Sequence, residues 1–168
     1  MLLKEQSLEN LFPEMQRFSK IWIYQSDRFL EANEIELITS KATAFVSGWD
    51  SHGSKLKADF VLLHNLFLVF VVDETVHEAS GCSIDRSVHF VKAIEKEVGT
   101  NFFNRTLTAY FKEDGSITFA PLNAMKRLIA SGEITKETLI FSNLVQDLEG
   151  FKANWMMPVK DTWVARLF

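Results

Sequence analysis

Cysteine is almost absent from this chain, since Cys82 is the only one among 168 residues. A single cysteine excludes an internal disulfide, and it excludes any metal or cluster site built wholly from the cysteines of one chain. Glycine and proline are also sparse, at seven and three residues, which excludes collagen-like and low-complexity classes. The composition is that of an ordinary globular protein, and the length fits one domain with a sizeable core.

Long hydrophobic runs are missing as well. The most apolar segment, residues 60–72, contains His64 and Asn65 and is too short for a helical span, which needs about 20 residues. The first six residues carry two charges where a signal peptide needs an uninterrupted apolar region. We therefore expect a cytoplasmic protein with no membrane span.

Basic charge is not in excess. The chain carries 18 Lys and Arg against 22 Asp and Glu, which gives a net charge of −4. Nucleic-acid binders usually carry a basic face, because phosphate neutralisation supplies much of their affinity. We expect no nucleic-acid partner, and we expect instead a small molecule or a protein. What the sequence does have is fifteen Phe and four Trp, which predict an aromatic core.

Periodicity predicts the order β-α-β-β-α-β. The residues that carry it are strands at 21–25, 56–63, 66–72 and 106–111 and helices at 33–48 and 83–98, the first helix opening on an Asn33 and Glu36 capping pair. This order is that of the split βαβ, ferredoxin-like unit. We predict an α+β fold with a mostly antiparallel sheet and a ferredoxin-like βαββαβ core, followed by a C-terminal hairpin and helices.

The C-terminal part predicts further elements. Asp114-Gly115 is a hairpin signal, and Pro121 opens a helix that Gly132 ends. A short strand at 138–141 and a last helix at 144–155 follow. We expect a single domain over 1–168, made of an extension (1–18), the core with its hairpin (19–120) and a helical cover (121–168).

The strand at 66–72 is apolar at consecutive positions, so both of its faces are expected to be buried. Either residues 122–168 cover the second face or another subunit does. The first arrangement needs no partner and is the one we expect. The oligomeric state stays open.

Topology brings the chemically active residues to one edge. In a ferredoxin-like unit, the exit of the third strand lies at the same end as the entry of the second, so His52 and Cys82 share an edge. A Cys beside a His is the minimal activated nucleophile, and Cys82 also starts a helix, whose dipole favours a thiolate. Asp50 or Asp85 can orient the imidazole. The opposite interpretation is that Cys82 packs as a small buried hydrophobe, as most free cysteines do, and we expect this packing.

We therefore predict one candidate site. Its catalytic residues are Cys82, His52 and Asp85, and its ligand-binding residues are Trp49, Ser80 and Ser83. The predicted function is a non-enzymatic binding or interaction protein with its site at this edge, because no complete catalytic constellation is present. The alternative is a thiol-dependent enzyme in which Cys82 is the nucleophile and His52 the base.

Two further motifs are weak. Glu74, His77 and Glu78 on the same edge are chemically possible zinc ligands together with His52 and Cys82, but their spacing matches no known ligand set, so we predict no metal and no cofactor. Residues 48–55 differ from a Walker A loop by inverted Ser and Lys, and they follow a helix rather than a strand. They are not expected to bind a nucleotide.

Near the C-terminus, Trp155, Trp163 and Arg166 suggest either a cation–π group or a ligand wall. The simpler interpretation is that these tryptophans are core and lid residues.

Several segments together resemble a family of short bacterial proteins that often carry the label "ABC transporter ATPase". The matching segments are residues 22–28, Trp49 with His52-Gly53, 79–85 with Ser87-Val88, 143–145, and Trp155 through Pro158 to Trp163 and Arg166. They cover most of the chain after residue 18, and the stretch Ser-Gly-Cys-Ser-Ile-Asp is the most specific. An ABC ATPase needs a Walker A loop, a Walker B strand and an LSGGQ-type signature, and none of them is present. The resemblance implies a family and a fold unit, without ATP hydrolysis.

Overall fold

The computed structural model describes residues 8–168 and has the predicted class: helices combined with antiparallel sheets in an α+β fold. The chain divides into two compact units. The N-terminal unit contains residues 12–104 and 146–149, and the C-terminal unit contains residues 8–11, 105–145 and 150–168. The boundary after Asn104 falls inside the stretch 19–120 that the sequence predicts as one core.

The N-terminal unit is built around a three-stranded sheet. Its elements are β1 (Lys20–Gln25), α1 (Ala32–Ser47), β2 (Asp50–Ser51), β3 (Ser54–Lys55), β4 (Lys57–Leu63), β5 (Phe67–Asp73) and α2 (Gly81–Val98). The strand order is β1-β5-β4, and β5 is antiparallel to both neighbours. Strands β1 and β4 are therefore parallel to each other with β5 between them, which is the predicted split βαβ arrangement.

Within residues 8–168, the fourth strand of a ferredoxin-like sheet is not found next to β1, which corrects the predicted ferredoxin-like core. The predicted strand at 106–111 exists as β6 (Leu107–Phe111), but it pairs with β7 (Ile117–Pro121) on one side and β8 (Leu139–Phe141) on the other. A strand has only two edges, so β6 has none left for β1. The outer edge of β1 bonds instead to residue Gln146: the Ile21 amide of β1 donates to the Gln146 carbonyl oxygen at 2.9 Å.

Strand β5 is buried at every residue, and this burial is reached within the single chain. Its alternate residues Leu68, Phe70 and Val72 belong to a core cluster with residues of α1 and α2. The turn before β5 is three residues long, 64–66, and its first two residues are left-handed, His64 (φ 55°) and Asn65 (φ 54°). That residues 122–168 cover the second face stays a prediction.

Both long helices begin earlier than the sequence predicts. Helix α1 is capped by Glu31 and Glu34, not by Asn33 and Glu36: the Glu34 carboxylate accepts the Glu31 amide at 2.8 Å and is itself held by Arg28. Helix α2 begins at Gly81 because the Ser80 hydroxyl accepts the Ser83 amide at 3.2 Å. It ends as predicted at Gly99, which has a left-handed φ of 67°.

The C-terminal unit contains a four-stranded antiparallel sheet with the order β7-β6-β8-β9. Its remaining elements are α3 (Met125–Ala130), α4 (Leu148–Asn154, whose first two residues belong to the N-terminal unit), β9 (Met156–Pro158) and 3-10 helices at Leu122–Ala124, Val159–Asp161 and Trp163–Leu167. The predicted hairpin is present, with Gly115 at a φ of 80°. Strand β9 is unpredicted, and the last helix starts four residues later than expected. Residues 121–168 are thus part sheet and part helix rather than a purely helical cover.

Candidate functional site

The candidate site is the edge formed by residues 49–53 and residues 80–86, called the hairpin edge below. Trp49 anchors it from inside. Its side chain is 0% exposed and its indole Nε1 donates to the carbonyl oxygen of Ser83 at 2.8 Å. The ring also lies 5.0 Å from Phe45 and 5.9 Å from Phe70, between centroids. Trp49 therefore positions the edge and does not present its ring to a ligand, which changes the role predicted for it.

Two serines join the two halves of the edge. The Ser80 amide donates to the Ser51 hydroxyl at 3.3 Å, while the Ser80 hydroxyl caps α2. Ser83 is buried, and its hydroxyl donates to the Ser80 carbonyl oxygen at 2.8 Å. The hydroxyls of Ser80 and Ser83, both predicted to bind a ligand, are engaged in this cap.

An ion pair crosses the outside of the edge. Arg86 donates to the carboxylate of Asp50, and it also donates to the Gly48 carbonyl oxygen at 3.2 Å. The Gly53 amide donates to the second Asp50 oxygen at 3.1 Å. The hydrogen bond from Arg86, followed by that from Gly53, lowers the pKa of Asp50 below its usual range. Asp50 is therefore ionised at neutral pH and committed to Arg86, rather than to His52.

His52 stands at the tip of a small hairpin that the sequence does not predict. Strands β2 and β3 pair through Asp50 with Lys55 and Ser51 with Ser54, and the turn between them has His52 at φ 51° and Gly53 at φ 81°. The His52 side chain is exposed, and within the described residues it makes no hydrogen bond or ion pair. The imidazole is held out on a tight turn and is available to solvent.

Cys82 is exposed, which corrects the expectation that it packs in the core. The buried stripe of α2 consists of Ser83, Ser87, Val91 and Ile94. Cys82 precedes the first of these by one residue, and one residue turns a helix by about 100°, so the thiol lies off the buried stripe.

The three predicted catalytic side chains lie on the same edge but are not bonded to one another. Among residues 8–168, no hydrogen bond links the Cys82 thiol, the His52 imidazole and the Asp85 carboxylate, and no other partner is found for their side chains. The carbonyl oxygen of Asp85 lies 2.8 Å from Nδ1 of His89. The topology thus brings these residues to one edge, whereas the catalytic roles stay a prediction.

The possible zinc ligands and the Walker-like residues 48–55 both lie in or near the hairpin edge. In the part of the chain that the structure describes, no three His, Cys, Asp or Glu side chains are grouped as metal ligands. Glu74 bonds the Ala79 amide at 3.1 Å and pairs with Lys20 at 3.5 Å. Residues 48–55 connect helix α1 to strand β4, whereas a P-loop connects a strand to a helix.

Arg86 and Ser51 hold the edge together, and neither is predicted from the sequence. Arg86 could have been found from the sequence, because it and Asp50 carry opposite charges on two segments that the topology brings together. Ser51 carries no such signal, because its role depends on the unpredicted hairpin. Of the C-terminal residues, Trp155 is buried and donates to Asn143 at 3.0 Å, and Trp163 is exposed.

Comparison with family models, with curated proteins and with solved structures finds no match for this chain. Within residues 8–168, no helix combines the length and the apolar character that crossing a membrane requires.

Proposed function

We propose that the chain is a non-enzymatic binding protein whose site is the hairpin edge. The observation that carries this proposal is the set of three links between the two halves of the edge: Trp49 to Ser83, Ser51 to Ser80, and Asp50 to Arg86. These links hold His52 and Cys82 on a surface that is ordered before a ligand arrives. Preorganisation of this kind reduces the entropy that binding has to overcome.

The exposed groups of the edge suit a polar ligand, which is either a small molecule or a segment of a protein. His52, Cys82 and Asp85 have no side-chain partner within the described residues, so a ligand meets no competitor for them there. An imidazole, a thiol and a carboxylate together offer both donors and acceptors.

The single cysteine makes the proposal directly testable. A fluorophore on Cys82 reports binding at the hairpin edge, and the matched control carries the same fluorophore in the variant Cys82→Ser/Ser40→Cys, because Ser40 is an exposed residue of α1. In a screen of metabolites and of candidate partner proteins, a true ligand changes the emission of the first protein and leaves the control unchanged. His52→Ala is expected to weaken that binding about tenfold. Equal responses at both labels contradict the proposal.

A second candidate function is a thiol-dependent enzyme with Cys82 as nucleophile and His52 as base. The observation that favours it is an exposed thiol at the second residue of an 18-residue helix. The rate of alkylation by iodoacetamide against pH separates the two functions. An apparent pKa well below about 8.5 that rises in His52→Ala supports the enzyme, and an ordinary thiol pKa unaffected by His52 supports the binding protein.

Membership of the short bacterial family named above also remains a proposal, and so does a cytoplasmic location. The ATPase label attached to that family predicts that ATP with magnesium stabilises the protein. We expect no change in melting temperature at millimolar ATP and magnesium, because the chain has no Walker A loop. A shift of several degrees contradicts this expectation.

A further inference from the structure

A second surface of interest lies on the C-terminal unit and is independent of the hairpin edge. Helix α3 buries Met125 and packs against the 3-10 helix Trp163–Leu167, which buries Val164 in the same core cluster. The charged and aromatic residues that are left exposed here define the surface. They are Lys126 and Arg127 on α3, Trp163 and Arg166 on the 3-10 helix, and Phe168 after it.

The cations of this surface are left unpaired by the residues that the structure describes. The side chains of Lys126, Arg127 and Arg166 make no hydrogen bond or ion pair with any described residue. Two acidic neighbours in sequence are engaged elsewhere: Glu133 accepts the hydroxyl of Tyr110 at 2.7 Å, and Glu137 pairs with Lys160 at 2.8 Å. The third, Asp161, forms no ion pair among the described residues, and its charge acts on the adjacent Lys160.

In the N-terminal unit most cations form ion pairs. Its ion pairs are Arg17–Glu149, Lys20–Glu74, Arg28–Glu34, Lys41–Glu97, Lys57–Asp73 and Arg86–Asp50. In the described part of the C-terminal unit, Lys160–Glu137 is the one ion pair. The positive charge of α3 and of the last 3-10 helix is therefore not compensated by the described residues of its own unit.

Aromatic rings accompany these cations. Trp163 is 41% exposed and Phe168 is 51% exposed, whereas Trp49 and Trp155 are fully buried. The ammonium of Lys136 lies 5.8 Å from the centroid of the Phe168 ring. Exposed Trp and Arg together are the residue types that most often dominate the energy of protein interfaces.

The charge of the rest of the chain decides between two anionic partners. Residues 12–104 carry nine Lys and Arg against thirteen Asp and Glu, and the whole chain has a net charge of −4. A nucleic acid binds through many phosphates and usually needs a broad basic face, which a chain with a net charge of −4 does not supply. A short acidic peptide feels mainly the charges within a Debye length of about 8 Å at physiological salt. The observations therefore favour a peptide.

We propose that this surface, formed by Lys126, Arg127, Trp163, Arg166 and Phe168, binds an acidic segment of a partner protein in which Asp or Glu alternates with apolar side chains. The carboxylates pair with the three cations, and the apolar side chains cover the two exposed rings. The surface shares no residue with the hairpin edge, and substitutions at His52 or Cys82 are expected to leave this binding unchanged.

The test uses a fluorescein-labelled 12-residue peptide of alternating Glu and Leu, read by fluorescence anisotropy at 50 mM and 150 mM salt. Saturable binding that weakens with salt is expected. Lys126→Glu/Arg127→Glu is expected to weaken it at least tenfold, and Trp163→Ala about threefold. The matched control, Lys92→Glu/Lys96→Glu, makes the same change in charge on exposed residues of α2 and is expected to bind as the wild type does.

Three outcomes overturn the proposal. The first is the absence of saturable binding at 50 mM salt. The second is an equal loss of affinity in both double variants, which shows a dependence on total charge alone. The third is tighter binding of a labelled 12-nucleotide oligothymidine than of the peptide, which assigns the surface to single-stranded nucleic acid.

Discussion

At one end of the N-terminal unit, Arg28 donates to both carboxylate oxygens of Glu34, at 2.6 and 2.8 Å, and to the carbonyl oxygen of Val98 at 2.6 Å. At the other end, Arg86 pairs with Asp50 on the outside of the hairpin edge. The first arginine joins the start of α1 to the end of α2. The second joins a two-residue strand to the start of α2.

The bonds of Arg28 at the first of these ends are called the clamp below, and a second set of hydrogen bonds lies beside them. The Asp27 carboxylate accepts the Thr100 hydroxyl at 2.7 Å and the Asn101 amide at 3.0 Å. The hairpin edge differs because the side chains of His52 and Cys82 have no partner among the described residues. Similar charged groups therefore act as a clamp at one end, and at the other as a frame around groups left available to a ligand.

The largest expected effect is the loss of the clamp. Arg28→Met removes four hydrogen bonds, two of them to a carboxylate that is 15% exposed, and is expected to lower the free energy of unfolding by about 1.5–3 kcal/mol. Arg86→Met removes a more exposed pair and is expected to cost less than Arg28→Met does. Urea unfolding of both variants measures the difference. Equal losses remove the distinction between the two ends.

Acid is expected to weaken the clamp. The hydrogen bonds from Arg28 and from the Glu31 amide lower the pKa of Glu34 from 4.5 to about 2. A lowered pKa in the folded state means that this stabilisation is present above pH 4.5 and is lost as the pH falls toward 2. Glu34→Gln is therefore expected to cost about 1–2 kcal/mol at pH 7 and clearly less at pH 3, measured by urea unfolding at both pH values.

The control for this pH dependence is Glu36→Gln, an exposed residue of the same helix that pairs with no described residue. Its difference from the wild type is expected to stay near zero at both pH values. A Glu34→Gln difference that does not shrink in acid shows that Glu34 acts through packing and not through its charge.

The smallest effect concerns the turn that carries His52. Gly53 has a φ of 81°, where a Cβ is strained, so Gly53→Ala is expected to cost about 1 kcal/mol. A methyl group at Gly81, in the first turn of α2, meets no atom within 4 Å, so Gly81→Ala is expected to change stability by less than about 0.5 kcal/mol. Thermal unfolding of the two variants compares them. A larger loss for Gly81 contradicts the assigned role of the turn.

Local signals in the sequence predict the elements of the N-terminal unit well. The β-branched and aromatic residues at 21–25, the hairpin at His64-Asn65 and the end of α2 at Gly99 all depend on neighbours in the chain, and all are present. The shared edge of His52 and Cys82 also follows, because the strand order β1-β5-β4 is as predicted.

What the sequence does not reveal depends on distant partners. The destination of β6 is decided by β7 and β8, which occupy both of its edges, and no local pattern in residues 107–111 contains that information. The start of α1 depends on Arg28, which fixes Glu34 as the capping residue. The exposure of Cys82 depends on which face of α2 meets the core, and the packed positions begin one residue after it.

The segment 146–149 has a consequence for synthesis of the chain. Its Gln146 and Leu148 bond to Ile21 and Ser19 beside β1, yet they follow the rest of the N-terminal unit by about 40 residues. A ribosome that adds 5–20 residues per second needs roughly 2–8 s to cover that gap. During this interval a nascent chain exposes the outer edge of β1, so chains from which residues 12–104 have emerged and residues 146–149 have not are the forms most open to pairing with a neighbouring chain or to capture by a chaperone.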